Sequence, residues 1–254
     1  MERRRFTRLA VPGFGIGAIG VLISHFALPR WLGTWGTTAH EQTMPVPGDD
    51  LTPEDAAQQT MAVSVNARPD QIWPWLVQMG IDRAGLYSWL WVENGLMRLG
   101  ATNADEIHPE WQDLKIGDVM AFTPEHYPGG RRGPKVVAIQ PERSLVLDSS
   151  PGAPHGTIFA TWQFLLTGTD DGRTRLLMRS RADRRRPLGL RVMDFVLQPG
   201  YLLMDRAMLL GIRSRAERIA RESDAGDFAE PSVYTSPAIA PMVNAAEAES
   251  AARA

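Results

Sequence analysis

The sequence predicts an α+β domain in which a curved antiparallel sheet wraps around a long C-terminal helix, preceded by one N-terminal transmembrane helix. Three features carry this expectation. Short runs rich in branched and aromatic residues, separated by turn signals, fill positions 118 to 182. One apolar stripe follows them, with Tyr201, Met204, Met208, Ile212, Ala216 and Ile219 three or four residues apart. A charge-free run, LAVPGFGIGAIGVLISHFALP, occupies Leu9 to Pro29.

The N-terminal run is read first. At about 1.5 Å per residue a helix of this length reaches roughly 30 Å, the thickness of a bilayer core. Arg3, Arg4, Arg5 and Arg8 precede it, while 34 to 67 holds no Lys or Arg but includes Glu41, Asp49, Asp50, Glu54 and Asp55. The positive-inside rule then places the N-terminus in the cytoplasm and the domain outside, as a single-pass cell-membrane protein. A cleaved signal peptide fits less well, because no small-x-small site closes the run. Gly15 to Gly20 matches GxGxxG, but no strand precedes it and no βαβ unit follows, so a dinucleotide site is not expected.

The expected organisation is a basic segment and membrane helix over 1–31, a polar connector over 32–58, the domain over 59–224 and a disordered tail over 225–254. Within the domain, TMAVSVNA from Thr60 alternates as a strand. Pro69 opens a helix carrying Ile72, Trp73, Leu76 and Val77, and Gly80 ends it. Residues 87 to 99 are expected to be helical. Strands follow at 118–123, 134–140, 144–148, 157–167 and 174–182, the last two joined at Asp170-Asp171-Gly172. On the last strand Arg175, Arg179 and Arg181 share one face, which is expected to be solvated. The long helix is expected to start at Pro199, with a further helical segment over 188–197 before it.

Composition narrows the function classes. There is no cysteine, which excludes disulfides, thiolate metal sites and a cysteine nucleophile. The net charge of -2 offers no global field for nucleic acid. Neither HExxH nor HxxxH occurs among the five histidines, and there is no GxSxG elbow or GxxxxGK[ST] loop. No metal or cofactor is expected.

The strings WPWLVQMG from Trp73, RAGLYS from Arg83, Glu93-Asn94, and IHPEWQ from Ile107 resemble a bacterial branch of the SRPBCC superfamily. That superfamily includes START domains, Bet v 1-like proteins and polyketide cyclase/dehydrase-like proteins. The resemblance covers roughly residues 45 to 222. It implies a helix-grip (START-like) fold with a hydrophobic cavity, and it does not imply catalysis. The chain departs from the pattern at Trp89-Leu90-Trp91, where related sequences tend to carry an acid.

The leading expectation is a membrane-anchored protein that holds a hydrophobic small molecule or lipid, rather than an enzyme. Tyr87, Glu93, Asn94, Trp73, Trp162, Met204 and Met208 are the expected ligand-binding residues. A buried Glu–Asn pair beside an aromatic can orient a ligand, and desolvation raises such a carboxyl's pKa. The first alternative is a cyclase/dehydrase-type enzyme acting on a polyketide-like substrate, with Glu93 and His108 as candidate catalytic groups. The second is a structural membrane-associated protein with a filled interior.

Overall fold

The computed structural model describes residues 28–153 and 156–227. The expected membrane helix lies outside these residues except for Leu28 and Pro29, and the expected tail lies outside them beyond Asp227. Among the described residues no helix is long and apolar enough to cross a membrane. The chain divides into two units, up to Arg221 and from Glu222. The first unit carries the sheet and the helices that cover it.

Five strands form one antiparallel sheet: β1 (Ala57–Val65), β2 (Lys135–Gln140), β3 (Ser144–Asp148), β4 (Ala160–Gly168) and β5 (Thr174–Ala182), in the order β1-β5-β4-β3-β2. Alternation decides the faces. Met61 pairs with Met178 and Val63 with Leu176, and these four join Leu145, Leu147, Trp162, Phe164 and Leu166 in the main core. Helix α3 (Pro69–Val77) covers part of this inner face, with Ile72, Trp75 and Leu76 fully buried. Pro69 sits at its first turn, as the sequence predicts, where a missing N–H costs nothing. The closing helix α4 (Leu188–Asp227) contributes Leu202, Met208, Leu209, Ile212 and Ala216 to the same core.

Several elements differ from expectation. Helix α4 starts at Leu188 and runs through Pro199, which removes one helical hydrogen bond without ending the helix. Residues 87–99 contain only a π-helical turn, Trp91–Leu96. Tyr87 adopts φ 56°, a left-handed conformation that no helix can contain. Residues 118–123 form isolated bridges, Val119 to Lys135 and Thr123 to Arg132, and not a full strand.

The largest correction concerns the outer face of the sheet. The arginines of β5 are not solvated: residues of the polar 32–58 segment cover them. Helices α1 (Leu28–Leu32) and α2 (Ala39–Thr43), with a 3₁₀ turn at Asp49–Leu51, form a strap that the arginines hold. Arg179, 1% exposed, donates to Asp49 Oδ2 at 2.6 Å, the Met44 carbonyl at 2.9 Å, the Glu41 carbonyl at 2.8 Å and Thr60 Oγ1 at 3.1 Å. Arg175 pairs with Glu41 at 2.6 Å, holding that carboxyl down at about 2. Arg181 reaches Thr52 and the Pro53 carbonyl. Burying Arg179 and half-burying Arg175 and Arg181 is tolerable because the strap supplies two carboxylates and several carbonyls at matching positions. Val46 packs on Ala62 and Leu177 beneath it.

Candidate functional site

The sheet, α4 and the loop carrying the π turn enclose a cavity of about 1530 Å³ that opens to solvent. Pockets for drug-sized ligands span about 300–1,000 Å³, and this half-open space is larger. Helix α4 packs tightly at one end and stands off at the other. Gly211 fixes the tight end: a Cβ there would lie 2.1 Å from the Tyr87 carbonyl oxygen. Toward residues 190–208 the same helix borders the cavity.

The apolar lining includes Phe122, Trp162, Met204 and Met208, and the Phe122 and Trp162 rings meet edge to face at 5.4 Å. Two desolvated carboxyls enter it. Glu93 is 1% exposed; Ser88 Oγ donates to its Oε1, and its Oε2 has no hydrogen-bond partner. Burial raises the Glu93 pKa, with the serine hydroxyl opposing in part. Asp205, half-buried on α4, is pushed up to about 7 by desolvation. Neither carboxyl has a salt bridge to a basic group among the described residues, so desolvation raises the pKa of each, and Asp205 keeps its proton up to about 7. Of the arginines that line the cavity, Arg186 pairs with Asp194 at 2.5 Å, also on the wall, and Arg131 with Asp82 at 2.7 Å.

Four of the expected binding residues line this space: Glu93, Trp162, Met204 and Met208. The others lie outside it. Tyr87 is buried between α3 and α4, its hydroxyl donating to the Trp75 carbonyl at 3.1 Å and its N–H to Asn103 Oδ1 at 2.8 Å. Arg215 covers its ring at 4.9 Å. Asn94 is exposed and exchanges two hydrogen bonds with the Ala101 backbone, closing the loop. Trp73 packs against the main core. His108 lies away from the cavity, its ring tilted against Trp111 with centroids 4.2 Å apart and Nδ1 3.3 Å from Glu110 Oε1.

The motif strings have a structural explanation of the same kind. Gln78 of WPWLVQMG is fully buried; its Nε2 donates to the Glu106 carbonyl, and its Oε1 accepts from the His108 N–H and from Gln112 Nε2, each at 3.1 Å. The two strings are therefore one buried clasp that holds a loop to α3. Among the described residues no three histidine or acidic side chains converge as a metal site.

Sequence reasoning missed Ser88, Phe122 and Asp205. Asp205 carried a readable signal: it follows Met204 and stands three residues before Met208, so it shares their side of the helix. Ser88 and Phe122 carried none, since both are placed by loops.

No family model matches the chain, and no curated protein matches it in sequence. Among solved structures, the chain is similar to the Aha1 dimer from Colwellia psychrerythraea, at 12% identity over 63% of this chain and 96% of that one, with a TM-score of 0.36. The Polyketide_cyc-like protein Cgl2372 from Corynebacterium glutamicum is similar at 11% identity over 68% and 97%, TM-score 0.37. The di-domain ARO/CYC StfQ from the steffimycin biosynthetic pathway is similar at 13% over 65% and 52%, TM-score 0.35. At these scores the likenesses carry no argument of their own. By its own topology, a five-stranded antiparallel sheet and a long closing helix around a cavity, the chain has a helix-grip fold.

Proposed function

We propose that this protein binds a hydrophobic small molecule or lipid between the sheet and α4. The observation that carries this reading is the largely apolar cavity of about 1530 Å³ with two desolvated carboxyls, Glu93 and Asp205, on its wall. An apolar guest gains roughly 25 cal/mol per Å² of surface withdrawn from water. A protonated carboxyl can donate one hydrogen bond to a carbonyl or hydroxyl on that guest, which orients it. A structural protein with a filled interior does not account for the space.

A second reading is favoured by the same two acids. A carboxylic acid that stays protonated near neutral pH can serve as a general acid, so a cyclase/dehydrase-type reaction on a polyketide-like substrate fits with Asp205 as proton donor and Glu93, its pKa also raised by burial, beside the substrate on the cavity wall. The charge-free run from Leu9 to Pro29, with arginines before it, supports a membrane tether with the N-terminus on the cytoplasmic side.

Native mass spectrometry of the purified chain is expected to show a co-purifying apolar molecule. A fluorescent fatty acid is expected to bind, and Met204→Trp, which pushes an indole into the cavity, to weaken it by about tenfold or more, on the order of 1.4 kcal/mol. A clean mass without guest, together with no affinity for the fatty acid, would overturn the binding reading. Loss of product formation in Glu93→Gln with guest affinity unchanged would favour the enzyme.

A further inference from the structure

We infer that the mouth of the cavity docks on a lipid bilayer through an apolar rim built by the Trp89–Met97 segment and the first half of α4. On one side Trp91 is 70% exposed and Leu96 78%, and Trp89 stacks on Trp91 at 6.2 Å. On the other, Leu188 is 69% exposed and Val196 58%, with Val192 and Leu197 also open. From 188 to 204 helix α4 carries only Arg191 and Asp194 as charged residues. A helix apolar around most of its circumference is stable in water only when something covers it.

Two observations select the bilayer as that cover. The rim and the cavity are continuous: Met97, Ile116, Met193 and Tyr201 are exposed at the surface and also line the cavity. A protein seated on the rim would seal the mouth, whereas a bilayer leaves an apolar path for a guest to enter. The second observation is where the chain enters the fold. The charge-free run ends at Pro29, and Pro29, Arg30 and Gly33 share a groove with Gln198 of α4. A tether spanning the membrane up to that point brings the first half of α4 to the bilayer surface. Paired tryptophans suit that surface, since an indole buries its rings while its N–H stays hydrated. This docking rests on the tether and cavity readings above.

The test uses the full chain reconstituted in phosphatidylcholine vesicles, with plain or brominated acyl chains. The emission of Trp89 and Trp91 is isolated as the difference between the wild type and a W89F/W91F variant; both positions are exposed, so the fold tolerates the change. The difference emission is expected to be quenched about twofold or more by brominated lipid. Val196→Glu with Leu197→Glu is expected to abolish that quenching while the chain stays in the vesicle fraction. Unquenched difference emission overturns the docking, whether a second copy or a protein partner covers the rim, and so does failure of the chain to float with the vesicles. Fatty-acid binding measured in the same samples separates the readings. Binding without quenching leaves the cavity and removes the docking; quenching without binding leaves the docking and removes the guest.

Discussion

Replacing Asp205 by asparagine is expected to stabilise the protein above neutral pH and to do so progressively from acid to base. The sign follows from which state holds the proton. Below about pH 4 the carboxyl is protonated in both the folded and unfolded chain, and it contributes no pH dependence. As pH rises, the unfolded chain releases the proton near 3.8 while the folded chain keeps it up to about 7, so the folded state binds more protons and stability falls across that window. The full cost is ~4 kcal/mol above pH 7, at ~1.4 kcal/mol per pH unit. Asp205 faces a cavity that water can enter and is only half-buried, so screening reduces this to about 2 kcal/mol. Asparagine abolishes the titration. Urea unfolding of wild type and Asp205→Asn at pH 4, 5.5 and 8 therefore gives a stability difference that widens by about 2 kcal/mol from the lowest to the highest pH. The change in the difference is the diagnostic, because any packing effect of the amide is common to all three conditions. A difference that stays constant within about 0.5 kcal/mol would show that Asp205 is well solvated or paired, and the account of the cavity wall would fail.

The geometry leads to three more expected outcomes. Arg179→Ala leaves Asp49, Thr60 and two carbonyls without their buried donor and is expected to cost about 3–5 kcal/mol in chemical denaturation, with increased proteolysis of the strap. Gly211→Ala should destabilise by about 1–3 kcal/mol although alanine is the better helix former, because its Cβ meets the Tyr87 backbone; a stabilised variant would contradict the close approach. His108→Ala is expected to leave fatty-acid affinity within about twofold, since this side chain lies away from the cavity; a tenfold loss would place it in the site.

Local pattern alone determined most of the sheet. Strand β5 is legible because Leu176 and Met178 alternate with Arg175 and Arg179, and the turn at Asp170-Asp171-Gly172 fixes its pairing with β4. The 3.6-residue stripe likewise announced α4, and Met204 and Met208 on it pointed to one side of the site. Charge alternation, however, says only which side chains share a face, not what covers that face. The β5 arginines read as solvated until the strap, more than a hundred residues away in the chain, brought Glu41 and Asp49 against them. Tyr87 and Asn94 would share a face if 87–99 were a helix; Tyr87, packed close to Gly211, instead adopts a positive φ, which breaks the period. The cavity itself was an expectation of the resemblance and of the bent sheet. Its size, its mouth and the presence of both Glu93 and Asp205 on its wall were decided by where α4 stands off the sheet, which long-range packing sets and no local periodicity encodes.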